Sequence, residues 1–67
     1  MDYFLEAIKI GLSISQAYEY EKICKKRDEA IIMYNEAVKN KDKELEEKYG
    51  DIILKCQAET QKLIYRR

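Results

Sequence analysis

The chain has no proline, no histidine and no tryptophan, and only two glycines and two cysteines among its 67 residues. Each absence excludes something. Without proline, and with glycine only at positions 11 and 50, little interrupts a helix, and the turn-rich composition of a small β-protein or a flexible linker is missing. Without histidine, neither a zinc site of the usual Cys/His kind nor a nucleophile paired with an imidazole base can be assembled. Cys24 and Cys56 therefore read as small buried hydrophobes. They sit about a turn out of register on facing helices, too far apart for a disulfide.

Charge of one sign is also missing. Thirteen basic and thirteen acidic residues cancel, so no global field draws the chain to nucleic acid or an anionic membrane. The longest apolar stretch, Tyr3 to Ile14, is about 12 residues with Glu6 and Lys9 inside it, against the roughly 20 a membrane span needs. It has no basic flank or cleavage site of a secretory leader. The expectations are a cytoplasmic location, no membrane partner, no cofactor, no metal and no catalytic residue, hence not an enzyme.

What is present is a single all-α domain over 1–67, 46% hydrophobic and 39% charged. Its apolar residues mirror one another around the polar segment from Lys39 to Lys43. On one side, outward, come Val38, Tyr34, Ile31, Arg27, Cys24 and Tyr20; on the other come Leu45, Tyr49, Ile52, Cys56, Glu59 and Leu63. Both sets step by threes and fours, the spacing of one helix face. Two helices folded back at the polar segment would meet in register, Val38 on Leu45 and Tyr34 on Tyr49. This predicts an antiparallel helical hairpin with a long helix over about 3–39 and a second over about 43–66. Asp2 is placed to cap the first helix and Asp42 the second.

Gly11 leaves two readings open. The apolar rows can be followed through it, but Ser13-Ile14-Ser15-Gln16 fits a capping box, which would start a new helix and make three helices. In the unbroken reading, Tyr3 to Ser15 overhangs the end of the second helix by roughly 20 Å at 1.5 Å per residue. Phe4, Leu5, Ile8, Ile10, Leu12 and Ile14 would then need a cover, since each forfeits about 1.5–3 kcal/mol in water. They are the candidate dimer or partner interface. A chain this short usually needs a staple, and with disulfide and metal set aside a dimeric helical bundle is expected.

Two charged features stand out. Arg27 lies in the middle of the apolar row of the first helix and Glu59 is its counterpart on the second, predicting an ion pair that fixes register. Lys41, Lys48, Lys55 and Lys62, with Arg66 after them, recur along one flank of the second helix and are candidate contacts for an anionic partner, although lysine stems there can also cover apolar surface. The function read from the sequence is a small protein–protein interaction or regulatory module, homodimeric or bound to a different protein. The alternative is a small nucleic-acid-binding regulator using the lysine stripe.

Overall fold

In the computed structural model, which describes residues 2–66, the protein is all-helical. Helix α1 (Tyr3–Lys9), helix α2 (Ile14–Lys39) and helix α3 (Lys43–Arg66) follow in order, with no strand among the described residues. Helix α2 is the shared neighbour, packing on both of the others.

The long helix expected over 3–39 is two helices, and Gly11 is the break. Its φ of 98° lies in the left-handed region that glycine enters without steric cost. The Gly11 N–H donates to the Ile8 carbonyl at 3.0 Å and the Leu12 N–H to the Ala7 carbonyl at 3.1 Å. These are the paired closing bonds of a Schellman turn, here with the buried Leu12 and Ala7 as its apolar contact. Two residues after Gly11 the chain starts again. The Gln16 N–H donates to Ser13 Oγ at 3.2 Å, and the Ser13 N–H to Gln16 Oε1 at 3.1 Å, a complete capping box. A stop and a start this close leave no room for a continuous helix.

The same turn closes α2. The Lys41 N–H donates to the Val38 carbonyl at 3.1 Å and the Asp42 N–H to the Ala37 carbonyl at 2.9 Å. Here the left-handed position, φ 57°, is held by Lys41 rather than glycine, at a cost of roughly 1–2 kcal/mol. Asp42 then caps α3 by accepting from the Leu45 N–H at 3.3 Å, as Asp2 caps α1 through the Leu5 N–H at 3.2 Å.

The fold-back presses α1 against the first half of α2. The Phe4 ring sits 4.8 Å from that of Tyr18, centroid to centroid. One buried cluster joins all three helices: Ala7 and Leu12, then Ala17, Tyr20, Ile23 and Cys24 of α2, then Cys56 and Leu63 of α3. Along α3, the Tyr34 ring lies against Gly50, Ala30 and Met33 share a groove with Tyr49 and Ile52, and Ile23 shares one with Glu59 and Leu63.

The two glycines should respond oppositely to alanine. Gly11→Ala puts a Cβ into a left-handed turn and should lower stability by about 1 kcal/mol or more. At Gly50 an added Cβ would meet the Tyr34 ring at 3.6 Å, an ordinary contact. Gly50→Ala should therefore raise stability by up to about 1 kcal/mol. Urea unfolding of the two variants checks this, and loss of stability in both would mean that Gly50 is held by packing rather than by helix propensity.

Candidate functional site

The row Tyr20, Cys24, Arg27, Ile31, Tyr34, Val38 runs the length of α2, and α1 covers only its first half. The Tyr20 hydroxyl donates to Glu6 Oε1 at 3.3 Å, and Cys24 is fully buried. Tyr3, the first residue of α1, reaches across to the next member. Arg27 Nη2 donates to the Tyr3 hydroxyl oxygen and to Asp28 Oδ1, each at 3.4 Å, and the guanidinium lies 5.8 Å from the centre of the Tyr3 ring. The Tyr3 hydroxyl in turn donates to Asp28 Oδ2. This clasp pins the start of α1, and it leaves Arg27 Nε buried without a partner.

Beyond the clasp the row has no third helix over it. Tyr34 is half-buried beside Gly50, while Ile31 and Val38, about a turn either side of it, are 38% and 46% exposed, and Leu45 opposite the turn is 39% exposed. Residues 29–39 of α2, roughly 16 Å at 1.5 Å per residue, have α3 beside them but no third helix. Here Tyr34, Gly50, Ile53, Leu54 and Gln57 bound an open groove of about 510 Å³, with Glu46, Glu47 and Asp51 on its rim. The absence of a side chain at Gly50 deepens it. The lining carries three carboxylates and no cation. Among the described residues the one ion pair is Arg27 with Asp28, so no described cation is paired with these three.

Enclosure shifts the titratable groups of the covered half. Burial pushes the Cys24 thiol up, so it stays protonated, and Cys56 is equally enclosed; both are free. Burial, with Cys24 and Glu6 alongside, raises Tyr20 to about 12. The hydrogen bond to Asp28 raises Tyr3. No group of three or more Cys, Asp or Glu side chains among the described residues is arranged to hold a metal ion. No helix of the described residues is long and apolar enough to cross a membrane.

Several sequence expectations need correcting. The segment expected to overhang is folded into the protein: Leu12 is buried, Phe4 and Ile10 pack half-buried on the core, and only Leu5, Ile8 and Ile14 keep an exposed apolar surface. Arg27 does not pair with Glu59. The fold-back brings Tyr3 to the guanidinium instead, where Asp28, the next residue of α2, already pairs with it, while Glu59 lies exposed on another groove with Glu19 and Lys62. Lys41 belongs to the turn before α3, so the stripe reduces to Lys48, Lys55 and Lys62, all exposed. Glu44 and Glu59 stand four and three residues before Lys48 and Lys62, in reach to offset them. The side chain of Arg66 lies outside the described residues.

The groove at Gly50 and the Tyr3–Arg27–Asp28 clasp escaped the sequence reading. The clasp depends on the fold-back, which only the Gly11 and Ser13 signals announce. The groove had a signal in Gly50, a costly residue inside a helix with no turn to make. No family model matches the chain, and no curated protein or solved structure matches it.

The Tyr20 proton gives the joint between α1 and α2 a pH dependence. Its folded value lies above the tyrosine value of 10.0, so the stability it contributes is complete below pH 10. As pH rises from 10 to about 12 the unfolded chain releases this proton first, and stability falls by on the order of 2 kcal/mol. Melting temperatures across that range should fall less steeply in Tyr20→Phe than in wild type; parallel curves would mean that this hydroxyl does not carry the effect.

Proposed function

We propose that the protein is a small interaction module without chemistry of its own, a hairpin of α2 and α3 buttressed at its open end by α1, that binds another protein through the bare end of the α2 row. The observation that carries this reading is the change along one helix face. The same row that is buried at Tyr20 and Cys24 and about a quarter exposed at Arg27 is 38–46% exposed at Ile31 and Val38. Apolar surface continuous with a core but left uncovered marks a place where a partner completes the packing.

Two further costs fall on the same face. Gly50 forfeits about 1 kcal/mol of helix propensity, and Glu47 and Asp51 are a like-charged pair one turn apart, which weakens α3. Stability surrendered at one place is what a binding surface requires. A homodimer could still use the other exposed apolar surface, made by Leu5 and Ile8 on α1 and by Ile14 and Tyr18 at the start of α2. The nucleic-acid reading loses ground, since only three lysines remain in the stripe and acidic residues alternate with them.

The double variant Ile31→Gln, Val38→Gln tests the proposal. On a docking face the free protein should lose little, on the order of 0.5 kcal/mol per site, whereas Ile23→Gln in the buried cluster should cost several times more. From a displayed library of amphipathic peptides, wild type should enrich sequences that the double variant does not bind. A stability loss as large as that of Ile23→Gln would make the row ordinary core, and the absence of any enriched peptide would retire the proposal.

A further inference from the structure

The groove's shape and charge say what kind of partner fits it. Its apolar lining comes from Tyr34 and Ile53, both half-buried, and the exposed Leu54, and the row continues through Ile31 and Val38 on α2. It is a trough between two helices, with no sheet edge to which an extended peptide could add. A helix already lies on the earlier part of this row: α1 on Tyr20, Cys24 and Arg27. At Gly50 the missing side chain lets a third backbone come close. The bare length of α2, roughly three turns, suits a short amphipathic helix with apolar residues at i, i+3, i+4 and i+7.

Charge decides between a second copy and a foreign chain. A two-fold dimer built on this groove sets the same patch against itself. The groove lining carries Glu46, Glu47 and Asp51 and no cation, so the three carboxylates of one copy would meet a patch that holds the same three and nothing to pair with them, and like charges brought together at an interface weaken it. A partner carrying lysine or arginine meets the three carboxylates favourably. Resting on the docking reading above, we infer that the occupant of the groove is a basic amphipathic helix of a different protein, its apolar row on Ile31, Tyr34, Val38, Ile53 and Leu54 and its cations on Glu46, Glu47 and Asp51.

The test uses the full chain, labelled for amide NMR, and two synthetic helical peptides with the same leucine and isoleucine row, one with a lysine and arginine polar face and one with a glutamate polar face. The basic peptide should shift the amides of Gly50, Ile53 and Leu54 and bind about tenfold or more tightly than the acidic one, a difference of about 1.4 kcal/mol. Its affinity should fall with added salt. Glu46→Gln, Glu47→Gln, Asp51→Asn together should remove most of that preference; relief of the Glu47–Asp51 repulsion offsets the loss of the Glu46 charge from the first turn of α3, so the variant should melt close to wild type. Equal binding of both peptides at the groove would leave the docking reading standing and overturn the basic class of partner. Preference for the acidic peptide, or shifts confined to the Lys48–Lys62 flank, would overturn the inference, and binding of neither peptide would overturn the inference and the docking reading together.

Discussion

The left-handed turn at Gly11 is the constraint on which the rest of the structure depends. It converts a segment that would otherwise stand out in water into a short helix lying on α2, and it does so with one residue's backbone freedom and two hydrogen bonds, Gly11 to Ile8 and Leu12 to Ala7. Once the turn is made, Ala7 and Leu12 enter the cluster with Tyr20, Ile23 and Cys24, and Tyr3 arrives beside Arg27. An arginine in the middle of an apolar row is costly unless it is paired. The clasp with Tyr3 and Asp28 supplies the partners, so the fold-back and the tolerance of Arg27 are one event.

The caps were legible because they are local. Asp2, Ser13 with Gln16, and Asp42 each bond to a backbone amide three residues on, and such a pattern can be read in a short window. The count of helices hung on Gly11 and the capping box from Ser13 to Gln16. A glycine with apolar rows on both sides reads as an interior residue or as a stop, and what settles it, the packing of Ala7 and Leu12 with Tyr20, Ile23 and Cys24, is tertiary. Arg27 was recognised as a residue in need of a partner, but its partner was sought on α3. Only the α1 fold-back brings Tyr3 within reach, some two dozen residues away in sequence. The groove was illegible for a related reason. Ile31 and Val38 belong to the same row of threes and fours as Tyr20 and Cys24, and nothing in spacing alone says that a third helix covers one pair and not the other.

Arg27 stands at the edge of the cover that α1 gives the row. With α1 starting at Tyr3, the guanidinium lies between a phenol, a carboxylate and solvent, and remains about a quarter exposed. The charge marks where the row divides into a half that folding completes and a half that it leaves open.

The open half is also where α3 is least optimised as a helix. Gly50, the like-charged Glu47 and Asp51, and the exposed Leu54 fall within eight residues of one another. A helix selected only to hold α2 would gain from alanine at 50 and from a cation at 47 or 51. Neither change would disturb the buried contacts of Cys56, Leu63 or Ile23, which lie on a different face or further along the chain. Local cost without local structural need, set on apolar surface that the protein's own helices do not cover, is more economically explained by a surface kept for another molecule than by a defect in a core.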